Sequence, residues 1–140
     1  MSKKSGKIAA IIAGLQGRGR SAHYLGYFEC FNRGLFYEAH DVLEELWLPI
    51  RREPAGNFYK GLIQLAGAFV HLQKNRLKPA DALFALAEAN LRAYPATHEA
   101  LDLAAMLALI ADWRARLAAG AFAENPWNEA TAPRLTLLAE

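Results

Sequence analysis

The sequence predicts an all-α fold: a compact, single-domain bundle of about five helices, followed by an irregular C-terminal tail. Three observations lead to this class. Apolar residues recur at steps of three and four along several stretches, which is the periodicity of one buried helix face. Glycines and prolines separate these stretches. No stretch shows the sustained apolar–polar alternation that a half-buried strand requires.

Breaks in the pattern delimit the five predicted helices, which run over residues 22–33, 35–48, 57–75, 79–93 and 98–119. Gly34 is expected to end the first, because glycine readily adopts the left-handed conformation that often follows a helix. Pro49 is expected to end the second, since proline cannot donate the next backbone hydrogen bond.

The third predicted helix is the most apolar stretch of the chain. Asn57 is its expected N-cap. Its apolar residues cover most of the circumference, so this helix is expected at the centre of the bundle. They are Phe58, Leu62, Leu65, Ala66, Phe69, Val70 and Leu72.

Prolines, a threonine and a glycine set the limits of the last two helices. Pro79 suits the first turn of the fourth helix, and Pro95 follows its end. Thr97 is the expected N-cap of the fifth helix, and Gly120 is expected to end it.

Composition divides the chain into three segments. Residues 1–20 are expected to form a basic, partly disordered segment, with disorder over 1–7 and a short helix over 8–16. Residues 21–120 form the helical domain. Residues 121–140 contain Pro126 and Pro133 without a sustained period, so an irregular tail is expected, held on the bundle by Phe122 and Trp127.

The positive charge of the chain is concentrated at its start. The net charge is +2, but residues 1–20 hold five basic residues and no acidic one. The remaining 120 residues hold 11 basic and 14 acidic residues, a balance of −3. A nucleic-acid-binding domain needs a basic stripe on its folded surface, so no nucleic-acid partner is expected.

The sequence favours a cytoplasmic protein without a membrane partner. No window approaches the roughly 20 consecutive apolar residues of a membrane span. Cys30 is the only cysteine, so no internal disulfide can form and nothing indicates an oxidising compartment.

A polar strip flanks the apolar face of the second predicted helix. His40, Glu44 and Trp47 lie at positions i, i+4 and i+7, on one side of a helix. A histidine and a carboxylate one turn apart can form a hydrogen bond, share a metal or act as an acid–base pair. The alternative is a boundary histidine held by Glu44 and covered by Trp47. Another group on this helix, Glu38, Asp41 and Glu45, is expected to form a solvated acidic face.

The third predicted helix carries a second polar strip. Lys60, Gln64 and His71 lie at i, i+4 and i+11, with Gly67 in line. Because the connection between the two helices is short, they are expected to be antiparallel neighbours. The two strips would then face each other across a cleft. The alternative is that the second strip simply faces water.

No metal site is predicted, and the sequence leaves both the catalytic residues and the cofactor unknown. Helical metal sites repeat a Glu-x-x-His spacing. Glu38 and His40 are only two positions apart, which places their side chains about 200° apart around a helix. The sequence also contains no phosphate-binding glycine loop and no dinucleotide fingerprint.

Two longer motifs resemble the hallmarks of a prokaryotic family known as domain of unknown function number 309. The first, from Phe31 to Trp47, reads FNRGLFYEAHDVLEELW, and the second, from Lys60 to His71, reads KGLIQLAGAFVH. With their flanks they cover residues 28–92. The chain has Lys74-Asn75 where the family often has a Gly-Asn turn.

This resemblance implies a compact helical fold and a bacterial or archaeal cytoplasmic protein, without an established activity. The family's polar signature corresponds here to Glu38, His40, Glu44, Gln64 and His71, with Trp47 beside them. With Lys60 added, these residues are the candidate ligand-binding set.

Three functions remain open, and the sequence leaves the enzyme question undecided. The first is binding of a small ligand in a polar cleft between helices 35–48 and 57–75, floored by Gly67 and Ala68. The second is a structural or interaction module, in which the polar strip is a buried network or a contact of a homo-oligomer. The third is a hydrolase-like enzyme that uses the pair His40–Glu44 or a bound metal.

Overall fold

The computed structural model describes residues 3–139, which form six α-helices. These are α1 (Lys3–Ile12), α2 (Ala22–Asn32), α3 (Phe36–Trp47), α4 (Gly56–Gln73), α5 (Leu77–Leu91) and α6 (Leu103–Ala119). Two 3-10 helices, Ala13–Leu15 and Leu48–Ile50, follow α1 and α3. The all-α class is confirmed, and the five predicted helices correspond to α2 through α6.

The most apolar helix, α4, is central to the packing, because it contacts both α3 and α5 extensively. Its residue Phe69 is fully buried, and its ring lies 5.1–5.5 Å, between centroids, from four other aromatic rings. These rings belong to Phe31, Phe36, Phe84 and Trp113. The core thus joins residues from α2, α3, α4, α5 and α6.

The helix at the N-terminus begins earlier than expected. The sequence predicts disorder up to residue 7, but α1 starts at Lys3; residues 1 and 2 lie outside the described part of the chain. Ile8 is buried with 1% of its surface exposed, and Lys7 forms an ion pair with Glu38 of α3 at 2.6 Å. These tertiary contacts favour a helix that local composition alone does not indicate.

Two predicted N-caps are wrong. Helix α4 starts at Gly56, one residue before the expected cap Asn57, and its N-cap Ala55 makes no side-chain cap bond. Thr97 lies in a short hairpin, where strand β1 (Thr97–His98) pairs with strand β2 (Leu101–Asp102). The cap of α6 is Asp102, whose carboxylate accepts a hydrogen bond from the amide of Ala105 at 3.0 Å.

This hairpin was not expected, because two-residue strands show no alternation in sequence. Its turn residues Glu99 and Ala100 have φ values of 50° and 57°. Positive φ at both central residues characterises the tight hairpin turns, which usually contain Asn or Gly. Neither residue here carries that signal.

The C-terminal tail is irregular over the described residues 121–139. Phe122 and Trp127 pack against the core, as predicted. The tail is also held by two hydrogen bonds between Leu135 and the side chain of Asn32 in α2. The NH₂ group of Asn32 donates to the carbonyl of Leu135 at 2.7 Å, and the N–H of Leu135 donates to the side-chain oxygen of Asn32 at 2.6 Å. Leu135 is itself buried.

Among the helices described here, none is both long and apolar enough to cross a membrane.

Candidate functional site

A cavity of about 370 Å³ opens between α3, α4 and α5, and we call it the histidine cavity. It brings together His40, Gln64 and His71, three of the residues predicted from the two polar strips. The other lining residues are Tyr37, Ile63, Gly67, Val70, Lys74 and Leu83. Whether these side chains bind a ligand stays a prediction.

Helical spacing explains most of this lining. Gln64, Gly67 and His71 are spaced by three and four residues, so they share one face of α4. Tyr37 and His40 are three residues apart on α3 and point toward the same side. A side chain just past the end of α4, that of Lys74, completes the rim.

The end of α4 is fixed by a backbone cap that holds Lys74 in place. The N–H of Arg76 bonds the carbonyl of His71 at 2.8 Å, and the N–H of Asn75 bonds that of Leu72 at 3.0 Å. This pair of bonds requires a left-handed residue, and Asn75 supplies it with a φ of 56°. The Lys74-Asn75 pair therefore forms a regular helix-ending turn.

The floor of the cavity depends on one hydrogen bond and one small residue. The amide oxygen of Gln64 accepts from Asn90 of α5 at 2.7 Å, which leaves its NH₂ group as the free end. A Cβ atom on Gly67 would lie 3.1 Å from Leu83 of α5. Glycine at this position therefore allows α5 to pack closely while keeping space in front of Gln64.

The imidazole of His71 carries a buried nitrogen without a partner. Its Nδ1 atom is inaccessible to solvent and has no hydrogen-bond partner among the residues described. Burial lowers the pKa of His71 from its ordinary value of 6.5, and the charges of Arg76 and Lys74 lower it further. The ring is therefore neutral near pH 7. Buried polar atoms are normally paired, so this unpaired nitrogen is unusual.

The lowered pKa of His71 predicts a dependence of stability on pH. Between the folded pKa and 6.5, the unfolded chain binds more protons at this site than the folded chain. The free energy of unfolding should therefore rise with pH through this window and level off above it. Urea unfolding at about pH 5 and about pH 8 measures the effect. His71→Gln should show a smaller rise than the unaltered chain; an equal rise in both would contradict the assignment.

His40 sits beside two carboxylates of its own helix. Its Nδ1 lies 3.1 Å from Asp41 Oδ1, and its Nε2 lies 3.9 Å from Glu44 Oε2. The Tyr37 ring stacks at a centroid distance of 6.2 Å. Asp41 is buried, so the predicted solvated acidic face is wrong at this position; Glu45 of that face is exposed and pairs with His23 at 3.0 Å.

Four of the candidate residues do not line the histidine cavity. Glu38 faces α1, where the hydrogen bond from Lys7 offsets the cost of burial and leaves the Glu38 pKa below its ordinary value. Lys60 is exposed on α4, more than two turns before His71. Glu44 and Trp47 lie one and two turns further along α3 than His40. The indole nitrogen of Trp47 is buried and has no hydrogen-bond partner within residues 3–139.

The described lining of the cavity contains one permanently charged side chain, which is positive. Lys74 contributes one permanent charge, and its Nζ lies 5.9 Å from the centroid of the Tyr37 ring. Over the described part of the chain, no carboxylate belongs to the lining. Within the same residues, no group of three His, Cys, Asp or Glu side chains is close enough to hold a metal ion.

Sequence reasoning missed several lining residues. Tyr37 lies three residues before His40, and Lys74 three residues after His71, so helical spacing could have found both. The apolar wall formed by Ile63, Val70 and Leu83 carries no chemical signal, because such residues also fill ordinary cores.

One family model matches part of the chain. Residues 24–83 match the family model described as Domain of unknown function (DUF309). The match contains both sequence motifs and confirms the resemblance over that span. No curated protein and no solved structure matches the chain.

Proposed function

We propose that this chain, whose residues 24–83 match the DUF309 model, is a binding protein for a small organic carboxylate with an apolar body. The ligand is held in the histidine cavity. The observation that carries this proposal is a cavity of about 370 Å³ lined by Gln64, His71 and Lys74, a volume typical of small-molecule sites.

The hydrogen-bond donors of the lining support a carboxylate. The Lys74 ammonium carries three N–H donors, and the NH₂ group of Gln64 has no partner among the described residues. His71 in its neutral form offers one further N–H. Charge-assisted bonds from such donors to a carboxylate are stronger than bonds between neutral groups.

Three apolar lining residues support an apolar body. They are Ile63, Val70 and Leu83, and each belongs to the apolar core or its margin. A ligand with one charged end and one apolar end would match both halves of the cavity. This arrangement also argues against a purely structural role, since a packed polar network would leave no cavity beside Gln64 and His71.

Thermal unfolding with a panel of carboxylates tests the proposal. Benzoate, phenylacetate and isovalerate should raise the midpoint by a few degrees at saturating concentration, because a ligand bound only to the folded state stabilises it. Benzamide, which has the shape of benzoate without its charge, should raise it less. If none of the three carboxylates moves the midpoint, the proposal is wrong.

Two variants test whether the rise in the unfolding midpoint comes from binding in the histidine cavity. Lys74→Gln removes the cavity's permanent charge and should abolish the difference between benzoate and benzamide. Gly67→Val fills the floor and should remove both responses. Lys60→Gln is the matched control, because it removes an exposed lysine from the same helix outside the cavity. An unchanged benzoate response in Lys74→Gln would place the binding elsewhere.

A further inference from the structure

We propose a second binding site in the same chain, for a soluble phosphate ester with an apolar body. It is a cavity of about 600 Å³ on the side of α2 covered by the C-terminal tail, and we call it the arginine cavity. Arg18, Arg33 and Arg134 line it, from three segments far apart in sequence. The inference does not depend on the histidine cavity, which shares no lining residue with it.

The three arginines leave their positive charge available. Within residues 3–139, none of their guanidinium groups forms a side-chain hydrogen bond or an ion pair. Other arginines of the chain do form such pairs: Arg114 bonds Asp81 at 2.9 Å, and Arg20 bonds Glu99 at 2.8 Å. The lining of the arginine cavity thus includes three arginines whose charges no ion pair of the described residues neutralises.

One acidic residue, Glu29, belongs to the described lining and faces these three positive charges. The net charge of the titratable lining is therefore +2, which favours a dianion over a monoanion. A phosphate ester carries close to two negative charges at neutral pH. The planar guanidinium also matches phosphate oxygens through two parallel hydrogen bonds, which a lysine cannot form.

An apolar floor lies beneath the charged rim. Phe28 and Leu135 belong to this floor, and both are buried, with exposed fractions of 5% and 7%. Leu25 lines the cavity beside them and is only partly covered. Such a floor would contact an organic group attached to the phosphate, whereas free inorganic phosphate would leave it empty.

The tail that supplies Arg134 is held in position by side-chain bonds. The side chain of Asn32 forms hydrogen bonds with the backbone N–H of Leu135 at 2.6 Å and with its carbonyl at 2.7 Å. Further along, the N–H of Leu138 donates to the carbonyl of Ala100 at 2.7 Å. Arg134 is therefore placed at the rim by an ordered segment, so less conformational entropy is lost on binding.

Calorimetric titration with phenyl phosphate tests the site. Phenyl phosphate should bind more tightly than inorganic phosphate, which lacks the ring, and than phenol, which lacks the charge. Each of Arg18→Gln, Arg33→Gln and Arg134→Gln should weaken binding by about tenfold, the loss expected for one hydrogen-bonded charge. Glu29→Gln should strengthen it by up to about fivefold, because it removes the opposing charge.

Two controls separate this site from other sources of binding. Arg52→Gln removes an exposed arginine outside the cavity and should leave the phenyl phosphate affinity unchanged. Lys74→Gln, which alters the histidine cavity, should do the same. The proposal is overturned if phenyl phosphate does not bind, if inorganic phosphate binds equally well, or if the three arginine variants retain full affinity.

A lipid headgroup presents the same phosphate ester chemistry. Flotation with vesicles of phosphatidic acid in phosphatidylcholine distinguishes this source from a soluble ester. The protein should remain unbound to these vesicles while it binds phenyl phosphate in solution. Flotation that is lost in Arg33→Gln and Arg134→Gln would assign the site to a lipid surface and overturn the proposal of a soluble ligand.

Discussion

Replacing Phe69 with alanine is expected to lower the free energy of unfolding by about 3–5 kcal/mol, the usual cost of removing a buried aromatic ring. Phe69 is fully buried and lies within 5.5 Å, between ring centroids, of four other aromatic rings. Its removal would leave a cavity where α2, α3, α4, α5 and α6 meet. Urea unfolding followed by circular dichroism measures the loss.

Leu86→Ala on α5 is the control for this variant. Leu86 is also large and apolar, but it is 50% exposed. Its replacement should cost less than about 1 kcal/mol, as most surface substitutions do. If Phe69→Ala does not fold, Phe69→Leu should still lower the free energy of unfolding. This loss should be smaller than that of Phe69→Ala but well above that of Leu86→Ala. Equal losses for Phe69→Leu and Leu86→Ala would contradict the central place given to this ring.

Replacing Gly56 with alanine is expected to destabilise the fold by about 1–3 kcal/mol, although alanine is the better helix former. Gly56 begins α4, and a Cβ atom there would lie 2.8 Å from the carbonyl carbon of Arg51 and 3.0 Å from the carbonyl oxygen of Ile50. These are backbone atoms, which cannot rotate away as a side chain can. The turn that joins α3 to α4 would have to open.

Gly6→Ala is the matched control for the glycine variant. Gly6 also lies in a helix, α1, but a Cβ atom there would meet nothing within 4 Å. This change should be neutral or stabilising by up to about 1 kcal/mol, since alanine loses less backbone entropy. Thermal unfolding of both variants gives the comparison. A stabilised Gly56→Ala would show that the α3–α4 turn is not tightly constrained.

Much of the fold could be predicted from the sequence because its helices are long and sharply terminated. The apolar periodicity and the breakers Gly34 and Gly120 place α2 through α6 to within a few residues, apart from the start of α6. The start of α1 was missed, because Lys7 is ordered by its ion pair with Glu38 of α3. The hairpin before α6 was missed, because Glu99 and Ala100 form its turn without the residues that usually signal one.

The candidate site could be predicted only in part. Helical spacing grouped His40 with one strip and Gln64 and His71 with another, and the structure places all three around one cavity. Spacing does not give the rotation of a helix relative to its neighbours, so Glu38 was included although it faces α1. Lys60 was included for the same reason, although its side chain is exposed.

The arginine cavity could not have been inferred from the sequence. Arg18, Arg33 and Arg134 are separated by up to 116 positions, and no periodicity connects them. Their proximity depends on how the tail returns to α2 through the bonds between Asn32 and Leu135. Such long-range contacts leave no local pattern.

The most direct test of the central claim, that the histidine cavity binds a small carboxylate, is a nuclear magnetic resonance titration of the imidazole nitrogens with phenylacetate. The chain has four histidines, and His71 alone among them has a buried nitrogen without a partner in the described structure. The account predicts a saturable shift of the His71 resonances, weakened in Lys74→Gln, with little change at His23 and His98. Unmoved His71 resonances, or equal shifts at all four histidines, would contradict it.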